Sequence, residues 1–233
     1  MMRGLLCAVL MLCAASGYAQ TLRVYNWKDY IDPAVLAGFE RDTGIRVDYQ
    51  TFTTAQELDE ALQAGAAFDL VAPSHFQLQR LIGEGRLQAL DIGKLRHYGN
   101  LDSKLLASLA GFSGAGRYVV PYLWSTVGLV IEREVAQRAL GAAAPPSWSL
   151  LFDAAQSARL ASCGLSVLDA PDETLSLLLN YQGRSLTRSA PSRIERASTV
   201  LDTLRPNLRY IDSERYIDDL ASGQLCVSMA WVG

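Results

Sequence analysis

The stretch LRVYNWKDYIDPAVLAGFERDTGIRVDYQT, residues 22–51, decides the fold, because it changes hydrophobic period twice and marks each change with a capping residue. Leu22 to Tyr25 reads as a strand. Pro33 to Thr43 follows as a helix with Asp32 as its cap, Val35, Leu36 and Phe39 facing inward, and Gly44 as terminator. Ile45 to Thr51 is a second strand. Downstream, Thr54 and Glu57 have the spacing of a capping box and open a helix ending near Gly65, and Phe68 to Ala72 is a short buried strand. Pro73 turns the chain, and Ser74 with Gln77 repeats the capping spacing at the head of a helix ending at Gly83 to Gly85. Strand and helix alternating three times is the pattern of a parallel sheet covered by helices, so the fold class is α/β.

The second half repeats the alternation less regularly. Gly111 to Gly116 is a turn or loop that lacks the spacing of a dinucleotide fingerprint. Val127 to Ile131 is an apolar run able to carry the chain from one lobe into a second. Helices are expected around Glu132 to Leu140, Ser149 to Leu160, Pro171 to Gln182 and Arg193 to Leu204, after an Ala-Pro-Pro connector at Ala144 to Pro146. Short strands fit Ser166 to Leu168, Leu208 to Tyr210 and Leu225 to Trp231. The expected division is residues 1–19, 20–127 and 128–233. The first of these reads as a secretory signal peptide, with Arg3, an apolar core from Leu5 to Ala15 and a small-x-small cleavage site at Gly17 to Ala19. Beyond it no apolar stretch is long enough to cross a bilayer, so a soluble exported protein is expected.

Composition narrows the partners. Half the residues are hydrophobic, 19% are charged and the formal net charge is -3, which offers no bulk attraction for nucleic acid. Arg184, Arg188, Arg193 and Arg196 lie in Ser-rich sequence without aromatic interleaving and read as a solvated face. Outside the leader the cysteines are Cys163 and Cys226, either a disulfide or two buried thiols. The two histidines, His75 and His97, show no ligand spacing relative to them, so no metal and no cofactor are expected.

Chemistry concentrates in Tyr25-Asn26-Trp27-Lys28-Asp29-Tyr30. Asp29 lies between two large rings, a composition suited to an organic cation, and the segment leaves the end of a strand, where open α/β sheets bind ligands. Asp32 is better placed than Asp29 to cap the following helix. Ser74 is explained by capping alone, though a ligand role is compatible with it. Glu173, beside Asp172 in a first helical turn, is by itself an acid favoured by the helix dipole. Trp124 and Trp148 are expected in core or hinge packing. Ser74 next to His75 invites a hydrolase reading, but no Gly-x-Ser-x-Gly elbow surrounds it and no enzyme is expected.

The chain resembles the periplasmic polyamine-binding proteins of ABC importers. The likeness is carried by residues 25–30, by Phe68 to Ser74, Pro121 to Trp124, Ser162 to Gly164, Leu168 to Pro171, Leu204 to Asn207 and Cys226 to Trp231, in order along the chain. It implies a two-lobed binding-protein fold of type II character that clamps putrescine or spermidine between the lobes, and a monomer that delivers it to an inner-membrane permease from the periplasm. It also implies pocket roles for Trp27, Asp29, Tyr30, Ser74, Glu173 and Trp231, and a disulfide between Cys163 and Cys226. Lys28 departs from the small residue common at its position, and its side chain is expected to face solvent. Family members continue beyond the point matching Gly233, so the second half is expected to be incomplete and binding to be weak. The alternatives are a sensor for another cationic solute or a non-functional fragment.

Overall fold

A computed structural model describes residues 20–112 and 114–232. The leader expected at 1–19 lies outside the described residues. The described residues form two sheets. The first has the order β2-β1-β3, from β1 (Thr21–Trp27), β2 (Arg46–Phe52) and β3 (Leu70–Val71), all parallel, with Val24 opposite Leu70 and Tyr49 opposite Val24. Their connections are α1 (Pro33–Thr43) and α2 (Ala55–Gln63). Then come a 3₁₀ turn at His75–Gln77, α3 (Leu78–Gly83) and α4 (Ser103–Ala110).

The caps read from sequence are made. Asp32 accepts the amide of Ala34, and Gly44 closes α1 in the left-handed region at φ 72°. Thr54 Oγ1 accepts the amide of Glu57, whose carboxylate takes the amide of Thr53 rather than that of Thr54. Ser74 and Gln77 form a complete reciprocal box, although it opens a 3₁₀ turn before α3. The inward set expected on α1 is corrected: Val35 is 58% and Phe39 38% exposed, Leu36 is half-buried, and the helix has no buried residue. Periodicity groups these three residues along the helix, but the three-stranded sheet supplies little to cover them.

The second sheet has the order β4-β7-β5-β6, from β4 (Thr126–Ile131), β5 (Leu165–Val167), β6 (Tyr210–Ile211) and β7 (Val227–Val232). The last strand in sequence lies inside, antiparallel to β4 and parallel to β5. Val127 pairs with Trp231, so the division expected at residue 127 falls within β4. Helices α5 (Arg133–Leu140), α6 (Ser149–Phe152), α7 (Ala154–Leu160), α8 (Pro171–Tyr181), α9 (Pro191–Leu204) and α10 (Tyr216–Ala221) pack around it. The single helix expected over 149–160 is two, because Asp153 is extended and caps α7 by accepting the amide of Gln156.

Here the core is contiguous. Leu150, Leu151, Leu160, Leu165, Leu178, Leu225, Val227 and Met229 are buried together around β7. Ser166 and Ser228, both buried in this interior, satisfy one another through a 2.8 Å hydroxyl contact, as buried polar groups require. Cys163 and Cys226 form the disulfide, with Cα atoms 5.5 Å apart at a sequence separation of 63. Gly164 beside it has φ 97°, and a Cβ there would lie 2.4 Å from the carbonyl of Gln224, so no other residue fits.

Candidate functional site

The segment that leaves β1 is built by three backbone features. Pairing with β2 runs one residue past the strand, with the Lys28 amide donating to the Phe52 carbonyl at 2.9 Å. Next, the Tyr30 amide returns to the Trp27 carbonyl at 3.4 Å, closing a turn. Asp29 occupies that turn at φ 61°, the one non-glycine residue with positive φ among those described. Aspartate tolerates this region better than most side chains, and such outliers gather at ligand sites. With Asp32 engaged as the cap of α1, Asp29 remains exposed at the tip of the turn.

Strand alternation sorts the aromatic rings. Tyr25 and Trp27 share one face of β1, against Phe52 at centroid distances of 4.8 and 4.7 Å, while Val24 and Asn26 are buried on the other. Trp27 also faces Tyr30 at 6.1 Å and, from the other sheet, Trp231 of β7 at 6.4 Å with a 73° interplanar angle. Tyr122, in the segment leading to β4, donates its hydroxyl to the Tyr30 carbonyl. Rings from both sheets thus meet where the lobes adjoin.

Glu173 occupies the first turn of α8, a helix that begins with Pro171 and has no side-chain N-cap. Burial pushes its carboxyl above the ordinary carboxylate range, its own backbone amide opposes this, and the charge of Asp172 adds to it. Tyr30 is pushed up by burial first and by the charge of Glu173 second, so the two groups sense one another across the lobes. Glu173 is a carboxylate held in a place that disfavours its charge.

Ser74 is half-buried, and its hydroxyl accepts the Phe76 amide at 3.4 Å. Its neighbour His75 packs on Phe76 at 3.9 Å and Phe112 at 5.4 Å; partial burial holds the imidazole below its ordinary range while Asp172 pulls it up. The expected set therefore divides. Trp27, Tyr30, Trp231 and Glu173 are drawn together, Asp29 stands at the turn between the first two, and Ser74 connects through His75 to the Asp172 side of α8. Tyr122 and Glu214 were not anticipated. Lys28, expected to face solvent, is half-exposed and ends 2.8 Å from Glu214 in the other lobe. Trp124 is corrected from core or hinge packing to the surface, at 70% exposure, while Trp148 packs against the core and stacks with Phe152 at 5.9 Å.

A surface depression of about 470 Å³ lined by Asn180, Arg184, Arg188 and Arg193 lies outside this cluster, and its arginines would repel a cation. The ring and carboxylate cluster is the candidate site.

Residues 34–233 match the family model described as bacterial extracellular solute-binding protein. The chain is 39% identical to the putrescine-binding periplasmic protein PotF of Escherichia coli, over 99% of this chain and 64% of that one. It is 38% identical to a putrescine/agmatine-binding protein of Pseudomonas aeruginosa, over 92% of this chain and 59% of that one. Among solved structures it resembles a putative spermidine/putrescine ABC transporter protein from Listeria monocytogenes, with TM-score 0.76, 28% identity and coverage of 92% of this chain and 63% of that one. It spans less than two thirds of the length of each.

Proposed function

The chain belongs to the bacterial extracellular solute-binding proteins, and from that premise we propose that it captures a polyamine, putrescine or spermidine, between its lobes. The observation that carries this reading is the meeting of Trp27 with Tyr30 at 6.1 Å and with Trp231 of the other sheet at 6.4 Å, and the half-buried Glu173, whose carboxyl burial pushes up, supports it. An ammonium group relieves such a carboxylate through a charge-assisted hydrogen bond, and ring faces attract cations by up to roughly 2 kcal/mol when desolvated. A methylene spine between two ammonium groups matches aromatic walls with carboxylates at their ends. Asp29 is the second carboxylate and Ser74 a hydroxyl ligand in this reading. Names of the relatives that specify putrescine or spermidine support the solute class. The protein then works in the periplasm as a monomer and hands its solute to a membrane permease. Among the described residues no helix is long and apolar enough to cross a membrane. Binding rather than catalysis is the role, since Ser74 is engaged in a cap and His75 in ring packing.

Calorimetry with putrescine, spermidine, arginine and glutamate tests the assignment. The expected result is saturable heat with the polyamines, lost in Glu173→Gln and Asp29→Asn and absent with glutamate. Wild-type protein giving no heat with any polyamine would sink the reading.

A further inference from the structure

The Lys28 side chain raises a problem that the candidate site does not solve. It is flanked by Trp27 and Asp29, and the hydrogen bond from its amide to the Phe52 carbonyl holds its backbone beside them. A free ammonium there would add a like charge beside any cation that Trp27 and Asp29 hold, a repulsion that salt screens over about 8 Å. We infer that Glu214 is a specificity-determining residue, which clasps Lys28 across the two lobes and keeps that charge from opposing a cationic solute. The inference rests on the cation-binding reading above.

Glu214 is a prepared acceptor. It belongs to a turn after β6 in which Asp212 Oδ1 accepts the amides of both Glu214 and Arg215 at 2.8 Å. That turn is tied to β5, because the Asp212 amide donates to the Val167 carbonyl at 3.1 Å and the Asp169 amide to the Ser213 hydroxyl at 3.0 Å. The nearest competing cation in sequence is Arg215, and it is occupied: it lies 4.3 Å from the Tyr210 ring centroid and 3.5 Å from Asp219. Glu214 is left to Lys28, at 2.8 Å. The pair joins a lobe that holds Trp27, Asp29 and Tyr30 to one that holds Glu173 and Trp231, so separating the lobes breaks it. Its hydrogen bond and charge also hold the Lys28 ammonium above its ordinary range, keeping it positive throughout.

The test is calorimetry with butylamine, putrescine and spermidine on wild type, Glu214→Gln and the double variant Lys28→Met with Glu214→Gln. Glu214→Gln is expected to weaken putrescine binding about tenfold, spermidine more and butylamine less, as a freed like charge requires. The double variant is expected to recover putrescine affinity to within about threefold of wild type. No loss in Glu214→Gln, or a loss that persists in the double variant, overturns the inference. If wild-type protein gives no heat with any amine, the solute reading fails and the clasp is judged separately by pulsed-EPR distances between labels at Gln63→Cys and Asp202→Cys. Glu214→Gln should then broaden the interlobe distance, and the exchange Lys28→Glu with Glu214→Lys should restore it; an unchanged distribution in Glu214→Gln overturns the clasp.

Discussion

The sheet centred on β7 is enclosed by helices that bury Leu150, Leu160, Leu178 and Leu204 against it, whereas the sheet centred on β1 leaves Val35, Phe39 and Leu70 more than a third exposed. Both follow the same alternation of strand and helix. They differ in what each strand has on its two sides: β7 has strand neighbours on both edges and four consecutive buried residues, while β3 is a two-residue edge strand whose Leu70 is 56% exposed. Stability therefore concentrates in the second lobe. The aromatic and acidic turn of the candidate site stands on the more thinly packed lobe, and Glu173 and Trp231 on the better packed one. The proposed capture of a solute between the lobes fits that division, since moving elements come from the less stable part of a fold.

The largest effect that tests this contrast is removal of the disulfide, which belongs entirely to the second lobe. Cys163→Ser with Cys226→Ser is expected to cost about 4 kcal/mol in urea unfolding, from the chain entropy of a loop spanning 63 residues. Next, Leu178→Ala should cost about 3 kcal/mol, as a fully buried leucine does, while Val35→Ala on α1 should change stability by less than about 0.5 kcal/mol. Equal losses from these two substitutions would break the comparison.

Glu173→Gln has a smaller effect of opposite sign. A carboxyl raised by burial favours the folded state while protonated and ceases to do so as pH rises through its folded-state value, so at neutral pH the charged group works against folding. The glutamine variant should melt higher than wild type in the absence of solute while binding polyamine less. A lower melting temperature would show that Glu173 is a structural acid.

The smallest effects separate the lobes by pH. Asp69 ties β3 to β1 through Arg23, whose side-chain and backbone N–H groups draw its carboxyl down to about 2. Its contribution is complete above the ordinary aspartate value of 3.8 and is lost as pH falls toward 2, so the first lobe should loosen in acid and Asp69→Asn should remove that dependence. Tyr210 in the second lobe is pushed up to about 12 by burial and then by its hydrogen bond to Asp219. Its contribution is complete below pH 10 and disappears as pH rises toward 12, so Tyr210→Phe should flatten the alkaline limb. Methyl-resolved proton–carbon NMR at each extreme distinguishes which lobe responds.

Local rules were the most reliable guide to these elements. Asp32, Thr54 and Ser74 were recognisable as caps because each acts on amides two or three residues away. Shorter helices escaped notice: α4 carries a signal in Asp102, which accepts the amides of Lys104 and Leu105, but α10 begins without a side-chain cap. The exposed face of α1 and the surface position of Trp124 depart from the sequence reading for one reason. Hydrophobicity says which side of an element seeks cover, and only the neighbours say whether cover is present. On the site, Asp29 was recognisable as a non-capping acid beside two rings, but its left-handed backbone was not.

The amino-acid order alone determined the alternation of strands and helices, the cap at the head of α1, an aromatic and acidic turn at the end of the first strand, and a cysteine pair available for bonding. Tertiary structure decided that Trp27 meets Trp231, that Glu173 acts on Tyr30, and that Lys28 finds Glu214 at a separation of 186 residues. The physical reason is range. Capping and periodicity act through hydrogen bonds and side-chain spacing within a turn or two of chain, whereas these meetings depend on β7 entering between β4 and β5 and bringing its end against the turn that follows β1.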